Sequence, residues 1–266
     1  MRLWWDAAWG VVRRDAILFF SYRTQVVTQI LSLLFSLALF YYIARLLHSH
    51  TVGTAHDYFA YVVVGLVIVQ ALATTLGLIP SLVRQELVAG TMERFLVSRF
   101  GARSGIVAMM LFPTLTAFVI GLIMLLLAGT VFGVHIASTA PLAIFVGLLG
   151  SVAFAPLTLL LVATVVVVKQ AAIGSQFVMA GISLVGGLYF PITELPKWLH
   201  WAANVQPFTP AADLMRHLLV DTPMQYSVVS DLLRLVGFAV VLMPVSLWAV
   251  RHAIAYAQRR GTIIEY

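Results

Sequence analysis

Glu86 and Glu93 are seven residues apart, close to two turns, so a helix carrying both presents them on one face. The small residues Ala89 and Gly90 lie between them, and Arg94, Arg99 and Arg103 surround them. Val88, Met92 and Leu96 repeat at four-residue intervals, as do Leu87, Thr91 and Phe95, which gives an apolar stripe. Gly90-Thr91 reads as a break. Thr91 is placed to cap a second short helix, with Glu93 in its first turn, where the helix dipole favours an acid. Two chemistries fit this pattern. One is an acidic face that docks into another protein. The other is an interfacial helix whose arginines hold anionic lipid headgroups.

Other groups offer less. His48, His50, His56 and Asp57 are ligand types gathered in one polar loop, but no helical i, i+4 pairing organises them, and no metal site is expected. There are two lysines, Lys169 and Lys197. Neither is preceded by glycine or followed by Ser or Thr, so the chain has no phosphate-binding G-x-x-x-x-G-K-[ST] loop. H-E-x-x-H is absent, and the serine of Gly101-Ala-Arg-Ser-Gly105 is misplaced for G-x-S-x-G. With no cysteine there is neither a disulfide nor a thiolate site. No catalytic residue and no cofactor of its own are expected for this chain.

The elements that must position the acidic pair are membrane spans. The 266 residues are 62% hydrophobic and 10% charged, against roughly 25% charged in soluble domains. The expected fold is all-α and polytopic, one membrane domain over residues 1–266, with six transmembrane helices. Spans are expected at 24–47, 58–83, 104–132, 140–168, 171–189 and 232–250. The uncharged run 104–168 would reach about 98 Å as one helix, far beyond the ~30 Å hydrocarbon core, so it folds back within the turn-rich stretch 129–141. Residues 1–22 mix tryptophans with charge and read as a helix lying in the interface, not as a cleaved signal. No Asp or Glu falls inside the six spans so drawn, which argues against ion-coupled secondary transport.

Six spans put both termini on one side. That side carries Arg2, Arg13, Arg14, Arg23, Arg84, Arg94, Arg99, Arg103, Lys169, Arg251, Arg259 and Arg260; the other carries Arg45, Lys197, Arg216 and Arg234. The bias places both termini and residues 84–103 in the cytoplasm. The net charge of +6 reads as topology and lipid contact, and no nucleic-acid partner is expected.

Residues 190–231 hold five of the ten prolines. Pro191 and Pro196 interrupt regular helix, Trp198 and Trp201 favour the interface, and Pro207 and Pro210 precede a helix-prone run. The pattern favours a segment that dips back into the membrane under cover of protein, over an ordinary outer loop with an interfacial helix.

At these two places the chain resembles the permease subunits of ABC-2 type exporters, including the daunorubicin-resistance-like and polysaccharide-export-like members. Residues 86–99, ELVAGTMERFLVSR, are similar to the family's E-x-x-x-G-T-x-E-x-L-x-V-(S/T) element. Residues 187–199, GLYFPITELPKWL, followed by QPFTP and then Leu214-Met-Arg216, are similar to its stretch between spans 5 and 6; Gln206 stands where the family often has Asn.

The resemblance implies that the ATPase, with its ATP and Mg, is a separate subunit, and that two permeases, identical or paralogous, pair with two such subunits. It assigns Glu86, Gly90, Thr91, Glu93, Arg94 and Phe95 to a cytoplasmic coupling helix between spans 2 and 3. It assigns residues 1–22 to a connecting helix beside it. Tyr189, Phe190, Pro191, Glu194, Pro196, Trp198 and Pro207 become an outer gate. The implied function is outward movement of an amphipathic drug, lipid or lipid-linked glycan across the plasma membrane. A six-span scaffold and an intramembrane lipid-modifying enzyme stand as alternatives.

Overall fold

The computed structural model describes residues 2–46, 54–92, 98, 101–168 and 172–260, and all their regular structure is helical. The helices are α1 (Arg2–Ser21), α2 (Arg23–Leu46), α3 (Ala55–Leu72), a π-helical turn (Ala73–Leu78), α4 (Ile79–Val88), α5 (Ala102–Phe132), α6 (Ala140–Val168), α7 (Ala172–Val185), α8 (His200–Asn204), α9 (Phe208–Val220) and α10 (Val228–Arg259). Two 3-10 turns, Ile192–Glu194 and Lys197–Leu199, lie between α7 and α8.

Among the described residues, five helices are long and apolar enough to cross a membrane: Val26–Leu46, Ala55–Val88, Ser104–Phe132, Ala140–Val168 and Val228–Arg259. The remaining expected span, 171–189, is represented by α7. Its 14 residues reach about 21 Å, short of the ~30 Å core. It stops at the glycine pair 186–187, where Gly187 has φ 69, a conformation suited to glycine. The last helix starts earlier than expected, at Val228. It therefore carries Asp231 in its first turn, so a carboxylate does lie inside an apolar helix. The Asp231 side chain is buried, with Arg234 3.6 Å away.

Outward faces are apolar. Phe35 is 71% exposed and Val240 66%, as a hydrocarbon surrounding requires. The central element is α3, in which ten consecutive residues, Phe59 to Ile68, are buried. It packs against α2, α5 and α9, while α6 and α10 form the most extensive helix pair. One core surrounds Phe59, Leu72, Leu188, Phe208 and Leu214; a second surrounds Ile79, Val83, Ile106, Val162 and Ile254.

α3, the π turn and α4 make one rod of 34 residues, about 51 Å long. The π turn sits just before Pro80, which has no N–H for the carbonyl of Leu76 and crowds it. The chain answers by widening one turn, and the Ile79 N–H bonds to Thr74 O, five residues back.

Candidate functional site

One end of the rod holds an irregular backbone segment. Residues 186–189 leave the helix α7 and expose four successive carbonyls that helix cannot satisfy. Each is met from a helix. Thr209 Oγ1 donates to Gly186 O (3.5 Å), Tyr61 Oη to Gly187 O (3.0 Å), Arg216 Nη2 to Leu188 O (2.8 Å) and Tyr58 Oη to Tyr189 O (3.3 Å). Arg216 Nε also donates to Tyr61 O (3.3 Å), and the guanidinium lies 3.5 Å from the centroid of the Tyr61 ring. Tyr58, Tyr61 and Gly65 fall on one face of α3, at i, i+3 and i+7. Gly65 makes the approach possible. A Cβ there would stand 1.7 Å from Leu188 O. Tyr58, Tyr61 and Gly65 lie within the first eleven residues from Ala55, so the 186–189 turn lies along the first third of the rod, the end opposite Glu86.

Burial pushes the Arg216 guanidinium down from its ordinary value, against the favourable influence of Tyr61 and Asp213. Burial also pushes the Asp213 carboxyl up, opposed chiefly by the Gln225 N–H that it accepts at 3.0 Å. Tyr189 stacks on Phe40 of α2, with ring centroids 5.5 Å apart. Pro207 is buried, Phe190 and Pro191 are half-buried, and Glu194, Pro196 and Trp198 are exposed. The gate residues named from the sequence are therefore two groups. Tyr189 to Pro191 and Pro207 join the packed turn, whereas Glu194, Pro196 and Trp198 face outward.

The other end of the rod carries Glu86. Its Oε1 is 2.8 Å from Arg14 Nη1 of α1, and Arg14 Nη2 is 2.9 Å from Asp15. Burial lowers the affinity of Arg14 for its proton, but Asp15 and Glu86 outweigh it and hold the guanidinium above its ordinary value. Burial holds the Asp15 carboxyl up, with Arg14 opposing. A partly exposed pair like Arg14–Glu86 contributes at most about 1 kcal/mol, so it fixes geometry more than stability. α4 ends at Val88, and Gly90 turns the chain with φ 69. The Thr91 hydroxyl points back, donating to the Glu86 carboxylate and to Glu86 O (3.2 Å). Thr91 is thus engaged with the helix before the break. Glu93, Arg94 and Phe95 lie outside the described residues, as do Arg99, His48 and His50. Asp57, the acid expected to cluster with those histidines, instead accepts from Thr54 N (2.9 Å) and Thr54 Oγ1 (2.7 Å) in a capping box.

From the sequence, Arg14 and Arg216 stood out only as topology charges, Arg216 also within the Leu214-Met-Arg216 match, with no partner assigned to either, and Tyr58, Tyr61 and Gly65 were not singled out. The usable signal was spacing: two tyrosines and a glycine on one face of a span, and a lone arginine on an apolar helix. No sequence pattern pairs residues 155 positions apart, as Arg216 and Tyr61 are.

The family description "ABC-2 type transporter" matches residues 7–220. The chain belongs to the ABC-2 type transporter family. No curated protein matches it. The matched ABC-2 membrane domain runs from within α1 to the end of α9. It contains both ends of the rod, and α10 lies beyond it. ABC-2 permeases generally work with separate ATPase subunits, in keeping with the missing phosphate-binding loop.

Proposed function

We propose that this chain is the permease subunit of an ATP-driven exporter that moves an amphipathic substrate (a drug, a lipid or a lipid-linked glycan) outward across the plasma membrane. The observation that carries this reading is the rod. One continuous element bears Glu86 at one end and, at the other, Tyr58, Tyr61 and Gly65 against the 186–189 turn. Force applied at Glu86 is delivered to that turn along one continuous helical element, through the π turn.

In this mechanism two permeases pair with two ATPase subunits, both termini are cytoplasmic, and α7 with the 186–189 turn makes the sixth crossing. Residues 84–103, Glu93, Arg94 and Phe95 included, seat in a groove of the ATPase, and α1 braces Glu86 through Arg14. Closure of the ATP-loaded subunits, whose Mg and nucleotide belong to them, displaces the rod. The turn carrying Tyr189, Phe190 and Pro191 then leaves its place against α2 and opens the outer side. The permease itself makes and breaks no covalent bond. The partner biases the gate only through its different affinity for the two permease states.

The test is co-purification with the partner ATPase followed by an ATP hydrolysis assay. Glu86→Arg sets like charge against the groove and is expected to weaken association about tenfold or more. The double exchange Arg14→Glu with Glu86→Arg restores an internal pair and is expected to stay uncoupled. Full activity of the double exchange would show that Glu86 serves only α1, and would contradict the docking role.

A further inference from the structure

α5 and α6 are consecutive in the chain and joined by only seven residues, 133–139, yet they barely touch each other. Consecutive antiparallel helices with so short a connection usually pack. Here an apolar cavity of about 280 Å³ occupies the space between them, walled behind by α3 and roofed by Met215 and Leu219 of α9. An engineered apolar cavity of about 150 Å³ is known to stay dry and to bind benzene, so this one has room for a larger hydrocarbon.

We propose that this cavity holds one acyl chain of a bilayer lipid, drawn from the leaflet on the α9 side. Four observations select that occupant. First, small residues line it on both helices, Ala117 and Gly121 on α5 and Ala143 and Gly147 on α6. Second, the lining carries no charged side chain and is polar only at Thr75, Thr114 and Ser151; Thr75 Oγ1 donates to Ala71 O (2.8 Å) and Ser151 Oγ to Gly147 O (2.9 Å) within their own helices. A charged headgroup or a charged peptide would find no counter-charge there.

Third, the mouth is flush with the lipid-facing hull. Its lips Leu122, Leu126 and Ile144 are exposed, and so are their neighbours Val119, Phe145 and Leu148 on the same outer surface. Fourth, the length fits. The lining on α5 runs from Thr114 to Leu126, about 18 Å along the helix. One leaflet is half of the ~30 Å core, about 15 Å, so the cavity spans one extended chain from the roof to mid-membrane. On α3 the site is lined by Val67, Ile68, Ala71 and Thr75, a different set from the Tyr58, Tyr61 and Gly65 that meet the 186–189 turn, and it does not depend on the export reading.

The experiment uses the full chain in vesicles of phosphatidylethanolamine and phosphatidylglycerol. They contain a trace of phosphatidylcholine with a photoactivatable diazirine in mid-chain. Labelled residues are mapped by mass spectrometry, with the exposed pair Val240 and Val241 on α10 as the internal reference for ordinary hull contact. Ala117, Ala143 and Val146 are buried beyond the reach of the hull. They are expected to label as strongly as the reference. Ala143→Phe and Ala117→Phe, which fill the cavity from opposite walls, are each expected to cut that label about tenfold with the reference unchanged.

Absence of label at the three buried positions in the wild-type chain overturns the proposal whether or not either variant folds. Label that survives both well-folded variants also overturns it. So does photo-crosslinking of Leu122 to a second copy of the chain in place of lipid, which would make the mouth a protein interface.

Discussion

Arg216 is buried, and its guanidinium is held by Leu188 O, Tyr61 O and the face of the Tyr61 ring. A planar fork can hold two carbonyls and stack at once; a lysine ammonium cannot. Arg216→Met would leave the buried Leu188 O without its donor, at about 1–3 kcal/mol, whereas Tyr61 O keeps its helical N–H partner within α3. The expected outcome is a fall in the thermal midpoint of the detergent-solubilised chain, with Arg216→Lys recovering only part of it. Equal stability of Arg216→Met and wild type would remove the arginine from the account. At this scale the sequence was partly legible. The Leu214-Met-Arg216 triplet marked the place, and Glu86 was singled out by its spacing from Glu93. What it could not reveal was the partner, because Arg14 and Tyr61 reach these residues only after distant helices have packed. Asp231 shows the same limit: its neighbours placed it in a loop, and the helix began three residues earlier.

The rod depends on close approach at one end and on a widened turn near the other. Gly65 is the only residue type that lets the α3 backbone pass so near Leu188 O, since a methyl there would overlap it at 1.7 Å. Gly65→Ala is expected to push the 186–189 turn outward. Its cost should fall at or above the upper end of the about 1–3 kcal/mol typical of overpacking. Faster hydrogen exchange or proteolysis confined to residues 186–207, with the rest of the bundle protected, would report it. A variant as resistant as wild type over that stretch would mean that the turn is not seated on α3. Element existence was readable from hydropathy alone, because a run of uncharged residues about twenty long has few other fates. The ends were less readable. α7 closes at Gly186-Gly187 for backbone reasons, four residues before the aromatic composition changes, and Pro80 produces a π turn where a plain helix was expected.

At the scale of the molecule, two cores lie along one central helix, and the described loops gather at two ends. Thr139 Oγ1 bonds to Leu218 O (2.6 Å), and Ala137 N to Leu219 O (2.9 Å), which ties the α5–α6 connection to α9 beside the 186–189 turn. α1 braces the opposite end through Arg14. The arrangement suits a lever, one continuous helical element with specific contacts towards both ends. The chain contains no cysteine, so a single introduced thiol reports one place only. The most direct test places Phe190→Cys in the assembled transporter in proteoliposomes and follows its labelling by a membrane-impermeant maleimide added outside. The rate is compared without nucleotide and with ATP trapped in a hydrolysis-deficient partner ATPase. The expected result is labelling that accelerates about tenfold on ATP trapping and does not respond when Glu86→Arg is added. Labelling that is indifferent to ATP in the wild-type background, or that still responds in the Glu86→Arg background, would contradict transmission from Glu86 to the 186–189 turn.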